Sequence, residues 1–469
     1  MAAPRFIFPR KKVILLKIFD FIARLFSKSK TAEKPVSPEM QTALEIWLSM
    51  YQHQESSVND SHSLDLPFAI SSEFSRLIMA ESEISVSSPY LNQQFQKFLK
   101  QFLIKADLAF ALGSMAFKPY VSGKKILVDM IRADRFAPTA FDSSGQATAA
   151  VFLSRKVIGR TYYTRLETHS FDSENHLYTV ENKAYFSLSP DFLGTECSLQ
   201  SVPEWADLQE IQTIRNIERP LFAVYQNPAA NTIDLDSPVG LSCFAHAENL
   251  IQEANQQWAR ILWEFKGTEL AVDARQDLFR RDETGNRPDL PVGNKRLFRK
   301  YNLGDSRISE AMQVFSPAIR DESLFNGLNH ILQRIEFNVG LAYGTLSNPT
   351  DIEKTAEEIR SSKQRSYVQV SKMQSALQET FENLVYAMSV YASLYELDSA
   401  QNSELSCTWG DSVLEDTDKE FQRQFQLVAG GNLKPEKLLA WYFNITEQKA
   451  VSEYLPQKSD DNGLFSGGA

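Results

Sequence analysis

Cysteine is scarce in this 469-residue chain: Cys197, Cys243 and Cys407 are far apart, odd in number and never spaced as Cys-x-x-Cys. That argues against a disulfide framework and a thiolate zinc site, and a reducing compartment fits the usage. Histidine is sparse too. His53, His62, His169, His176, His246 and His330 include no pair at the His-Glu-x-x-His spacing that sets two imidazoles on one helix face. Phosphate-binding glycines are missing: Gly123-Lys124-Lys125 lacks both the upstream glycine and the hydroxyl of such a loop, and no Gly-x-Ser-x-Gly elbow occurs. Long apolar runs are missing as well. Val13 to Leu16 is cut off by Lys17, Asp20 and Arg24, too short to span a bilayer and without the small-residue cleavage site of a signal peptide.

Two partial motifs have plainer explanations. His246-Ala-Glu248 looks like the opening of a deaminase zinc motif, but its Pro-Cys-x-x-Cys partner is absent and a surface helical pair accounts for it. Asp411, Glu415, Asp416 and Asp418 could hold magnesium, yet a solvated acidic face at a helix start explains them with less. No catalytic constellation emerges, so the expectation is that the chain is not an enzyme and needs neither metal nor cofactor.

What is present is the composition of a folded protein. Hydrophobic residues make up 43% and charged residues 23%, which excludes wholesale disorder, and the length calls for two or three folding units or one large mixed assembly. Acidic residues outnumber basic ones by 59 to 49, for a net charge of −10, so a protein that coats nucleic acid through a basic surface is not expected.

Residues 5–34 carry nine basic side chains, while Ile14, Ile18, Phe21, Ile22 and Leu25 recur at helical spacing. This predicts a basic amphipathic helix, either docked on its own domain or facing a partner or membrane surface. From Glu39 to about Lys118 the pattern is helical, with Phe95, Phe98 and Phe102 on one face and Gly113 and Pro119 near its end. Between Tyr120 and Pro228, runs such as Ile126 to Ile131, Val151 to Val157 and His176 to Phe186 alternate with the turn sequences Asp142 to Gly145 and Asp172 to Asn175. That predicts a meander of antiparallel hairpins. A helix is expected after Gly240, ending near Gly267, and a small α/β insertion over 268–320. A further helix is expected from Glu322 to Tyr343. The longest periodic segment runs from Ile352 to Tyr395; at ~45 residues it would be ~65 Å long, implying an extended architecture and, through unburied surface, obligate oligomerisation.

The run Ile335-Glu-Phe-Asn-Val-Gly-Leu-Ala-Tyr-Gly-Thr-Leu-Ser-Asn-Pro349 resembles the portal proteins of siphophages of Gram-positive bacteria. The likeness continues through Glu353 to Ile359 and Lys363 to Tyr367, about thirty positions in all. Trp409 to Asp416, Ala429 to Gly431, Trp441 to Phe443 and, more weakly, Ala245 to Phe265 add to it. The basic aromatic N-terminus departs from the family pattern.

The resemblance implies an α+β portal fold. Residues 1–38 would be a basic amphipathic N-terminal segment, 39–236 a wing, helical then β-rich, 237–267 a first stem helix and 268–320 a clip. Residues 321–343 would be a second stem helix, 344–356 a tunnel loop, 357–400 a long wing helix, 401–456 a helical crown and 457–469 a disordered tail. It further implies a homo-oligomeric ring, usually of twelve subunits, at one capsid vertex, assembled in the host cytoplasm and retained in the virion. Double-stranded DNA would pass through it. The terminase large subunit, which would supply the ATPase, the major capsid and scaffolding proteins and a head-completion adaptor would bind it.

Gly344, Thr345, Leu346, Ser347, Asn348, Pro349, Thr350, Asp351, Glu353 and Lys354 would then line the channel. Lys295, Arg296, Arg299 and Lys300, in the clip, would meet DNA or acidic partners, or form solvated or intersubunit ion pairs. Two other classes stay open on the sequence: a membrane-associated scaffold, separable by liposome flotation, and a nuclease or phosphotransferase using the acidic clusters.

Overall fold

The computed structural model describes residues 37–53, 63–190, 192–235, 239–269, 271–275, 298–301, 312–315, 318–348, 356–398, 403–410, 417–443, 450 and 454. The predicted basic N-terminal helix, Lys295, Arg296, Pro349 to Lys354, the acidic residues Asp411 to Asp416 and residues 457–469 lie outside them. The architecture is mixed helix and sheet, as α+β predicts. Residues 1–408 and 409–469 are two compact units.

The first unit opens with α1 (Pro38–Tyr51), whose start is set by Ser37: its Oγ accepts the Met40 amide at 3.2 Å, and proline sits in the first turn. Next come α2 (Leu66–Met79), β1 (Glu83–Val86) and α3 (Pro89–Leu112), the last capped by Ser88 in the same way. Gly113 ends α3 with φ +76°, and any Cβ there would collide with the carbonyl of Gly240. Asn227 fastens this crossing. Its Nδ2 donates to the carbonyls of Phe110 at 3.0 Å and Leu241 at 2.7 Å, and its own amide donates to Gly113 at 2.8 Å.

The helical expectation to Lys118 fails beyond Gly113, because β2 (Ser114–Ser122) begins at once. Its first six residues are all buried, so the two-residue alternation that signals a strand is missing. β2 pairs with β3 (Lys125–Arg132), and Gly123, φ +61°, sits in the turn between them, which is where the near-miss phosphate loop lies. The predicted meander follows: β4 (Phe136–Phe141), β5 (Ala147–Ile158), β6 (Thr161–Asp172), β7 (Leu177–Ser187) and β8 (Thr195–Cys197) form one antiparallel order, with β9 (Ile211–Arg215) on β7. Asp142 and Asp172 make both predicted turns by accepting amides two or three residues on, Ser144 at 2.9 Å and Glu174 at 3.0 Å. β10 (Ala223–Gln226) completes the smaller sheet, order β10-β2-β3.

After Gly240 the chain stays pinned to α3, Cys243 donating to Phe110 at 3.0 Å, so α4 (Glu248–Gly267) starts later than expected. In the predicted insertion the regular elements among the described residues are strands, β11 (Ala271–Arg275), β12 (Phe298–Tyr301) and β13 (Met312–Phe315), with β11 central, parallel to β12 and antiparallel to β13. Then comes α5 (Asp321–Val339). It stops four residues short of Tyr343 because Gly340, φ +84°, turns the chain while its amide and that of Leu341 donate to Glu336 O at 3.0 and 2.9 Å.

The long helix α6 (Ala356–Leu394) has 39 residues. Val370, Met373, Leu377, Phe381, Leu384 and Met388 are buried within the chain itself. This overturns the inference that the helix needs a neighbour to bury its apolar face. Phe381 is the hub: its ring meets Phe95, Phe98 and Phe102 of α3 edge-on at 5.5–5.9 Å, with Phe117 of β2 at 6.2 Å. Edge-to-face pairs add about 0.5–1.5 kcal/mol each beyond burial. β14 (Leu405–Thr408) then pairs antiparallel with β1, so these four residues are strand and not part of a helical C-terminal region. In the second unit, α7 (Thr417–Ala429) and α8 (Pro435–Phe443) form a small helical pair, with Phe421 against Tyr442 at 4.8 Å.

Candidate functional site

α4 and α5 run antiparallel. Near one end Asn338 Nδ2 donates to His246 O at 3.2 Å; toward the other, Gln257 Nε2 donates to Leu324 O at 3.2 Å, and Phe265 and Phe325 lie 6.2 Å apart. At that far end Arg320 grips Glu264 with two parallel hydrogen bonds of 3.0 and 2.9 Å. The bond from Arg320 holds the Glu264 carboxyl below its ordinary range. This clamp closes the base from which residues 268–319 leave and return. Trp263, 69% exposed, stands beside it.

Of the four basic residues predicted there, Arg299 and Lys300 fall on β12, an edge strand, with Arg299 opposite Asp273 and Lys300 opposite Ala274 in register. Lys295 and Arg296 lie outside the described residues.

The predicted loop is half visible, and its visible half is tightly held. Glu336, fully buried on the last turn of α5, accepts the amides of Leu346 at 2.5 Å and Ser347 at 2.8 Å, the Ser347 hydroxyl at 2.8 Å and the Gly344 amide at 3.3 Å. Asn329, about two turns earlier, accepts the Asn348 amide at 2.7 Å. Gly344 turns here with φ +87°. The backbone donors of Gly344, Leu346 and Ser347 are therefore engaged inward. Pro349, Thr350, Asp351, Glu353 and Lys354 lie outside the described residues, so the structure brings together only the N-terminal half of this set.

Sequence reasoning did not single out Glu336, Asn329 or Arg365. The signal for Glu336 was faint: a carboxylate four residues before a glycine on an otherwise amphipathic helix. Arg365 lies with its guanidinium 4.4 Å from the Phe337 ring centre and 5.5 Å from Tyr343, bracing the same corner.

A second polar cluster, also unforeseen, is buried in the sheets. Glu167 accepts from Lys118 at 2.6 Å, Arg165 at 2.8 Å and His169 at 2.8 Å, while His169 Nδ1 meets the Tyr178 hydroxyl at 2.5 Å. Burial alone would raise the Glu167 pKa; the His169 hydrogen bond and the nearby Lys118 and Arg165 charges outweigh it and hold the carboxyl well below the usual range. Burial pushes the His169 imidazole down, partly countered by Glu167. Every member has a partner in the interior, which is the arrangement of an internal brace. Among the described residues no group of three histidine, cysteine or carboxylate side chains could hold a metal ion, and no helix is long and apolar enough to cross a membrane.

No protein-family model matches the chain, and no curated protein does. Among solved structures, the neck of a native GTA particle computed with C12 symmetry is similar over 91% of this chain and 99% of that chain, at 12% sequence identity and a TM-score of 0.43. At that overlap the likeness does not itself assign a function to this chain.

Proposed function

We propose that this chain is the portal protein of a tailed bacteriophage, the ring-forming subunit of the channel through which double-stranded DNA enters and leaves the capsid. One observation carries the reading. An antiparallel helix pair, α4 and α5, is interrupted by a small sheet, and α5 passes through a short anchored loop into a 39-residue helix, in the order that the sequence resemblance implies. The described part of the block carrying that resemblance, residues 335–348, is the corner built around Glu336.

On this reading α4 and α5 are the stem, residues 268–320 the clip, and residues 344–356 the tunnel loop. The ring, of twelve subunits by family resemblance, sits at one capsid vertex, having assembled in the host cytoplasm. It starts shell assembly with the capsid and scaffolding proteins, docks the terminase, and later receives the head-completion adaptor. The chain itself catalyses nothing and binds no cofactor. With −10 per subunit, the charge of a ring is strongly negative. An acidic wall repels phosphates and avoids the adhesive ion pairs of a basic groove, so DNA slides without being read. Glu336 and Asn329 fix the base of the tunnel loop, leaving Pro349 to Lys354 as the part offered to the lumen. Sequence readout would need side chains such as arginine or asparagine poised toward base edges, and of these residues 344–356 contain only Asn348.

The test replaces Asp351 and Glu353 with lysine and measures ring assembly and DNA packaging into procapsids. Normal rings with impaired packaging are expected. Unchanged packaging, with the loop mapped to the outer surface, would overturn the channel assignment.

A further inference from the structure

The large sheet leaves part of an interior strand uncovered. β5 pairs with β6 from Ala149 as far as Ile158, which lies opposite Thr161, but β4 pairs with β5 only up to Phe152. Residues 153–158 are therefore an open edge, about 20 Å long. Gly159, φ +64°, and Arg160 form a two-residue turn, so Ile158 and Thr161 close it as a hydrogen-bonded pair, and Leu153, Arg155 and Val157 turn their backbone amides away from β6. Among the described residues nothing bonds to the backbone of Leu153 or Val157 on that side. Val157 is 59% exposed and Ile158 44%. The charges that usually blunt such an edge are directed onto their own chain: Arg155 Nη1 donates to Pro190 O at 2.9 Å, and Lys156 bonds Glu204 at 3.0 Å. The opposite side of the sheet is open as well. β9 lies outside β7 with no described strand beyond it, and four of its five residues are exposed, Ile211 at 63%. The Asn182 amide donates to Glu210 O at 2.8 Å, which fixes the alternation: Ile211, Thr213 and Arg215 turn their amides outward.

We infer that the open edge of β5 pairs with β9 of a second copy of this chain, joining the large sheets of neighbouring copies side to side. Direction, spacing and side chains agree. β5 and β7 run the same way and β9 runs against β7, so sheets set edge to edge bring β9 to β5 antiparallel, the pairing that needs no slanted bonds. Each edge offers outward amides at every second residue, Leu153, Arg155 and Val157 on one side and Arg215, Thr213 and Ile211 on the other. Setting Val157 opposite Ile211 covers the most exposed apolar side chain of each strand and puts Glu210, an exposed carboxylate, diagonal to Lys156 on the same face. The two edges are different patches on opposite sides of one sheet, so the contact is heterologous and closes into a ring when the rotation allows. The inference rests on the ring reading above and names a contact that holds the ring together.

The experiment uses the full chain. Val157→Pro removes an outward N–H from the open edge, a position where proline is tolerated because β6 takes nothing from that amide. Its circular dichroism and thermal unfolding should match wild type, whereas sedimentation velocity over a dilution series should show that it needs about tenfold more protein to assemble. In a second arm, the double variant Val157→Cys with Ile211→Cys is oxidised mildly, with wild type and each single variant as controls. Paired strands hold opposite Cα atoms about 5.5 Å apart, within reach of a disulfide, so the double variant should give a ladder of linked copies on a non-reducing gel and the controls none. Should Val157→Pro fail to fold, this arm alone decides. Rings in wild type, with no ladder from the double variant and undiminished assembly of Val157→Pro, would overturn the inference while leaving the ring intact; no rings in wild type would overturn both. Linked pairs from Val157→Cys alone would mean that β5 meets β5 across a two-fold axis, and the inference would be wrong.

Discussion

Glu336 and Ser347 are joined twice: one carboxylate oxygen accepts the Ser347 amide and the other its hydroxyl, each at 2.8 Å. The carboxylate is fully buried, so the loop depends on it for most of its inward-facing donors.

Glu336→Ala should therefore destabilise the fold by about 2–4 kcal/mol, the order expected when one or two buried donors lose a charged acceptor. Urea unfolding measures the loss, and limited proteolysis should show new cleavage near residues 344–350. Cleavage and stability equal to wild type would mean that the loop has another anchor.

Phe381 joins α6 to α3 and β2 through four aromatic rings. Phe381→Ala should cost about 3–5 kcal/mol and Phe381→Leu clearly less. Equilibrium denaturation of the two variants checks the order.

The sequence made part of this legible. Asp142 and Asp172 announce their turns because a short acceptor side chain two residues from an amide needs nothing distant. Gly113 and Gly267 mark helix ends for similarly local reasons. Ser114 to Pro119 misled because a strand buried on both sides loses its alternation, and Tyr343 misled because Gly340, already inside the apolar pattern, turns the chain first. The demand of α6 for a neighbour was read from its length, whereas its partners come from α3 and β2, more than 250 residues away in sequence. Glu336 and Arg365 were invisible as a pair of supports because they act through a corner that exists only once α5 and α6 are placed.

Acid should weaken the fold through His169 and Glu167. The folded pKa of His169 lies below its ordinary 6.5, so the unfolded chain binds a proton first and stability falls as pH drops below that value. Glu167, lowered from 4.5, contributes stability that is present above that value and is lost at still lower pH as its folded pKa is approached. Urea midpoints taken from pH 7.5 downwards should decline in this order. His169→Asn should flatten the first part of the decline; an unaltered slope would assign it to other groups.

Gly113→Ala meets both a positive φ and the carbonyl of Gly240. A loss of at least about 1–3 kcal/mol is expected, the range for strained backbone of this kind. A thermal melt that does not move would show that the crossing with residues 240–241 can open at no cost.

The most direct test of the account is a negative-stain micrograph of the purified chain at micromolar concentration. Closed rings, with a central hole wide enough for duplex DNA, are the predicted result. Uniform compact monomers, confirmed by scattering from the same sample, would contradict it.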